Sequence, residues 1–168
     1  IVYVARNAKD TCLSYYHHSQ LFMGYSGTLD EFCYLFHNES LPFSPYWANI
    51  LGYWKRREEP NTLFLTFEEL KRNLSSSVLR TAKFLKKDLT NQQVATLCDH
   101  LSFEQMRDNP AVNNEDLEAL SRRMGCSLGG KFIRSGQVGE GKKKLSQDWV
   151  RCFDQWSEEN LCDTGLKF

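Results

Sequence analysis

Three absences narrow what this chain can do. No apolar run approaches the roughly 18 residues a membrane-crossing helix needs, and no stretch reads as a signal peptide. The 21 basic and 21 acidic side chains leave a net charge of +0, so no global field draws the protein to nucleic acid or to a membrane. The six cysteines (Cys12, Cys33, Cys98, Cys126, Cys152, Cys162) form neither CxxC pairs nor the tight spacing of a secreted domain, and nothing stands at a metal-ligand distance from His17 and His18. The expectation is a cytoplasmic protein with reduced thiols and no metal site. No internal repeat, low-complexity tract or domain boundary is evident.

What is present suits one packed domain: 168 residues, 41% hydrophobic and 13% aromatic. Ile1 to Ala5 is a near-continuous apolar run, the pattern of a parallel strand covered on both faces, and Thr62-Leu63-Phe64-Leu65-Thr66 is a second. Two such strands make no stable doubly covered sheet by themselves. No Met precedes Ile1, and the expectation is that further strands lie upstream.

Between and after these strands the pattern is helical. One helix is expected from Asp10 to about Met23, broken by Gly24 to Gly27. Thr28 with Glu31 is a capping box opening a second, and Ser44-Pro45 marks the start of a third reaching about Glu58. Glu68 to Lys87 reads as helix with a break near Asn73. Thr90 with Gln93 and Ser102 with Gln105 are two more capping boxes. A short helix over Glu115 to Met124 interrupts an otherwise irregular stretch, and the last helix runs from about Gln147 to Asn160. Lys131 to Lys144 carries five cations against Glu140 and, taken alone, reads as a solvated loop.

Two segments at opposite ends carry the functional signal. In Ile1-Val2-Tyr3-Val4-Ala5-Arg6-Asn7-Ala8-Lys9-Asp10, Arg6 falls just past the carboxyl end of a strand, where open α/β sheets place ligands. In Phe132-Ile133-Arg134-Ser135-Gly136-Gln137-Val138-Gly139, the glycines let backbone approach an anion while Arg134 offers a planar fork of donors. With Ser14, Leu63 to Glu69, Ser102 to Met106 and Asn109-Pro110, in that order, these segments resemble the cytosolic sulfotransferases, insect members above all.

That resemblance implies an α/β fold, a P-loop NTPase-like three-layer parallel sheet with flanking helices, of which this chain is the C-terminal part of a single domain. It implies transfer of a sulfonyl group from 3′-phosphoadenosine 5′-phosphosulfate (PAPS) to a hydroxyl or amine. The phosphosulfate loop, a Lys and a His general base are expected upstream of Ile1. No catalytic residue is therefore assigned here, and the chain alone is expected to be inactive. Arg6 and Ser14 would bind the 3′-phosphate from one side, and Arg134, Ser135 and Gly136 from the other. Phe67, Ser102, Phe103 and Met106 would meet the adenine. The bland alternatives stay open: Arg6 as a loop residue, Ser102 as a helix cap, Phe103 as core.

The chain departs from the family pattern at several positions. Ser135 replaces a usual Lys, with Lys131 or Lys142 as candidates to compensate. Phe67 replaces a Tyr, and Gly139-Glu140-Gly141 stands for Gly-Asp-Trp. Lys142, Ser146, Gln147 and Arg151 match the family's dimer motif only in part, so dimerisation by that route is not expected. Leu21 to Gly27 and Ala111 to Gly130, with Phe22 and Tyr25, are candidates for binding a hydrophobic alcohol or phenol acceptor. Competing readings are a retinol-dehydratase-like enzyme, a P-loop nucleotide or nucleoside kinase, and a noncatalytic nucleotide-binding relative.

Overall fold

The computed structural model describes residues 1–126 and 130–168. Two strands, β1 (Val2–Ala5) and β2 (Leu63–Thr66), pair in parallel, with Val2 opposite Leu63 and Ala5 opposite Thr66. Between them lie α1 (Ala8–Phe22), α2 (Leu29–His37) and α3 (Tyr46–Lys55). After β2 follow α4 (Phe67–Arg72), α5 (Leu74–Phe84), α6 (Asn91–His100), α7 (Phe103–Asp108) and α8 (Glu115–Arg123). The chain closes with α9 (Glu140–Lys144) and α10 (Gln147–Leu161). Both expected strands are present. The covered-on-both-faces pattern is only partly realised, since Val2 and Val4 are 47% and 48% exposed while Ala5 is buried.

Local signals explain most boundaries. Thr28 accepts from Glu31 N–H while Glu31 accepts from Thr28 N–H, and Thr90 with Gln93 does the same, each satisfying two otherwise orphaned donors. Asn73 ends α4 and caps α5 by accepting from Ser76 N–H at 3.0 Å, which is the expected break. Ser102 accepts from Gln105 N–H, so its capping role is present. α3 begins at Tyr46, with Pro45 as its N-cap and not its first helical residue. The basic run is not all loop: Glu140 to Lys144 winds into α9, opened by Gly139 at φ +83°.

The chain forms two compact units built from interleaved segments. The first comprises Ile1–Tyr16, Gly27–Phe67 and Val138–Phe168; the second comprises His17–Ser26 and Glu68–Gln137. In the first, α10 packs on α2, where Phe153 lies edge-on to Phe36 at 5.9 Å, and meets α3, where Trp156 lies edge-on to Trp47 at 5.7 Å. Cys12 and Cys33 are fully buried there with sulfurs 3.7 Å apart. The hydrogen bond to Cys33, and then burial, push the Cys12 thiol well above its ordinary range. In the second unit α5 packs on α6 and α6 on α7, around buried Val78, Ala82 and Val94.

Candidate functional site

The candidate residues divide between the units: Arg6, Ser14 and Phe67 in the first, Ser102, Phe103, Met106, Arg134, Ser135 and Gly136 in the second. In the first, parallel register does the placing. Ala5 pairs with Thr66 at the carboxyl ends of both strands, so the next residues, Arg6 and Phe67, emerge beside each other. The Arg6 guanidinium lies over the Phe67 ring, 4.3 Å from its centroid, and 3.8 Å from the Asp10 carboxylate. The Tyr46 hydroxyl donates to the Arg6 carbonyl. Ser14 is exposed, about two turns into α1.

Asn7 and Asp10 brace the start of α1. Asp10 N–H donates to Asn7 Oδ1, and Asn7 Nδ2 donates to Asp10 Oδ2, both at 2.9 Å. The Asp10 side chain is wholly buried, and it accepts two further bonds: from Gly139 N–H at 2.8 Å and from Gly141 N–H at 2.7 Å. A carboxylate with this many donors is well compensated for its burial. The end of the second basic segment is thereby tied to the turn carrying Arg6.

In the second unit Gly136 has φ +59°, and a Cβ there would stand 2.6 Å from Phe103 Cδ2. Only glycine fits so close to the ring in that left-handed conformation. Phe103 is half-buried just after its cap Ser102, and Met106 is half-buried one turn on, its N–H bonded to the Ser102 carbonyl. Arg134 is exposed and Ser135 half-buried. Upstream of Arg134, the buried Glu118 carboxylate accepts from Phe132 N–H at 2.7 Å, and the Phe132 ring packs against Phe22 at 5.9 Å.

A family model described as "sulfotransferase domain" matches residues 1–165. The chain belongs to the sulfotransferase family. Among curated relatives it is 40% identical to the luciferin sulfotransferase of Photinus pyralis over 99% of this chain and 45% of that protein. It is 32% identical to the amine sulfotransferase of Oryctolagus cuniculus over all of this chain and 56% of that one. Among solved structures, a retinol dehydratase in a complex with retinol and PAP superposes with a TM-score of 0.91 at 33% identity, over 99% of this chain and 49% of that one. The chain thus spans about half the length of the relatives it matches. The likeness bears out the α/β sulfotransferase fold and the insect affinity, and it removes the kinase reading.

Measured against the resembled pattern, the chain keeps an arginine at positions 6 and 134 and differs at neighbouring positions. Phe67 lacks a hydroxyl but offers the Arg6 guanidinium a face. Where the pattern has Trp, Gly141 has no room for any side chain: a Cβ would press on the Lys9 backbone and come within 2.8 Å of Asp10 N. The loop end is held by backbone bonds to Asp10 in place of ring packing. In the sequence Asp10 stands out only as part of the strand-to-helix motif. Its position four residues after Arg6 at a helix start was a signal for it, but its glycine partners are not readable from sequence. Of the acceptor candidates, Phe22 meets His18 edge-on at 5.1 Å, and burial lowers the His18 pKa. Tyr15 and Tyr16 both pack edge-on against Phe32 in the first unit. Residues Ser127, Leu128 and Gly129 of the second candidate loop lie outside the described residues. No helix among the described residues is long and apolar enough to cross a membrane.

Proposed function

We propose that this chain is the 3′-phosphate and adenine side of a sulfotransferase that moves a sulfonyl group from PAPS to a hydroxyl or amine of a small hydrophobic acceptor. The observation carrying this reading is the pairing of Arg6 with Phe67 at the two strand ends, 4.3 Å from guanidinium to ring centroid, within a chain of this family. A fixed guanidinium suits a phosphate dianion through charge-assisted bonds. In the second unit by itself, the left-handed Gly136 turn leaves backbone open to an anion. Phe103 offers a π-face for a base. The retinol dehydratase structure contains PAP, which supports the same nucleotide here. The reading includes a cytoplasmic location, with which six free cysteines are in keeping.

The test is calorimetry on the whole protein. Arg6→Ala and Arg134→Ala should each weaken adenosine 3′,5′-bisphosphate by roughly 1.5–3 kcal/mol, the range for charged hydrogen bonds. Adenosine 5′-phosphate should change little. Equal losses for both ligands would sink the assignment. The retinol-dehydratase-like reading draws on the 0.91 TM-score. It would be favoured if retinol and donor yielded a dehydrated product with free sulfate in place of a stable sulfate ester. Binding without turnover would favour a noncatalytic relative.

A further inference from the structure

We propose that Lys71 is a nucleotide-binding residue, supplying at the 3′-phosphate the cation that Ser135 does not. The inference rests on the sulfotransferase reading above and lies wholly within the second compact unit. Lys71 is next to last in α4, and its Nζ is 3.6 Å from the point a Cβ on Gly136 would occupy. The same ammonium is 5.9 Å from the centroid of the Phe103 ring. Three elements therefore bring a cation, an aromatic face and the glycine of the Arg134-Ser135-Gly136 turn together.

The charge of Lys71 is uncommitted. Three arginines of the second unit are matched to acids: Arg80 to Glu69 at 3.3 Å, Arg107 to Asp108 at 2.9 Å, and Arg122 to Glu118 at 3.2 Å. Lys131 lines a small recess with Glu115 and Glu118; the hydrogen bond from Arg107 holds the Asp108 carboxyl below its ordinary range, and the charges of Arg107 and then Lys131 add to it. Lys71, by contrast, has no acidic partner among the described residues. Its one described interaction is with the Phe103 ring, a weak contact at an exposed site. A phosphate at the Gly136 turn is a far stronger partner for an ammonium with three donors. Ser135 can offer such a phosphate a hydroxyl but no charge, so Lys71 takes the place of the lysine that the resembled pattern carries in the turn itself.

The experiment is calorimetry on the whole protein with adenosine 3′,5′-bisphosphate, adenosine 3′-phosphate and adenosine 5′-phosphate. Lys71 is exposed, so Lys71→Ala opens no cavity in the core. It should weaken the first two ligands roughly five- to tenfold and the third less than about twofold. Lys71→Arg should retain most of the affinity, and in a Ser135→Lys background the Lys71→Ala loss should shrink. Uniform losses on all three ligands overturn the inference. So does no loss while Arg134→Ala remains selective for the bisphosphate, and that outcome leaves the sulfotransferase reading standing. Failure of the unaltered protein to bind the bisphosphate overturns both.

Discussion

Gly141 donates its backbone N–H to the Asp10 carboxylate at 2.7 Å, joining positions 131 residues apart. Gly139 donates to the other oxygen of the same group at 2.8 Å. One buried side chain thus fixes the end of a glycine-rich loop against the first turn of a helix. The close approach is what excludes a side chain at position 141.

Asp10→Ala should cost about 1–3 kcal/mol for each buried donor it strands, because the Gly139 and Gly141 N–H groups would lose their acceptor without regaining water. Asp10→Asn keeps one acceptor oxygen and should lose less. Urea unfolding followed by circular dichroism measures both. An Asp10→Ala protein as stable as the parent would show that the loop end is held by something else.

Gly136→Ala should destabilise by about 1–2 kcal/mol from the left-handed backbone alone. Its methyl would also drive into the Phe103 ring, 2.6 Å from Cδ2. Phe103→Ala should remove the second part and not the first, so the double variant should be less destabilised than the sum of the singles. Strict additivity in a denaturant series would contradict the contact.

Alkaline stability should carry the signature of Tyr3. Burial, and then the neighbouring Tyr53, push its phenol up to about 12, while the unfolded value is about 10. The folded state therefore holds this proton more tightly. The contribution is complete below pH about 10 and is lost as pH rises towards about 12. Tyr3 stacks on Tyr53 at 4.2 Å and donates its hydroxyl to Asn49 Oδ1 at 2.7 Å. Tyr3→Phe should flatten the stability profile in that window. Tyrosinate absorbance should show one fewer late-titrating phenol.

Dimerisation through the segment that follows the Arg134-Ser135-Gly136 turn should not occur. Lys142 lies in the short α9, Ser146 caps α10 by accepting from Trp149 N–H, and Arg151 is paired with Asp148 on its own helix. No acid stands at position 151 to complete a self-complementary pair. Sedimentation of the whole protein should show no association sensitive to Lys142→Ala or Arg151→Ala. A tight dimer lost in either variant would refute this.

Much of the chain was legible because local physics writes it locally. The apolar runs gave both strands, the Thr28 and Thr90 boxes and the Asn73 break gave helix ends, and Arg6 fell where a strand's carboxyl end had to place it. These depend on neighbours a few residues away, and a sequence displays such neighbours directly. The family motifs added candidate roles for Ser14, Phe67 and Arg134 that no spacing alone could assign. Tertiary structure decided the rest. Parallel register brought Arg6 onto Phe67, backbone N–H groups from the far end of the chain found Asp10, and the Gly136 turn closed on Phe103 beside Lys71. It also wound α9 from a run of lysines that periodicity reads as loop, since Gly139 opens the helix and Gly141 anchors it on Asp10. Such contacts join residues from distant parts of the chain, and their energies come from burial and from satisfying particular donors, which a linear pattern does not record.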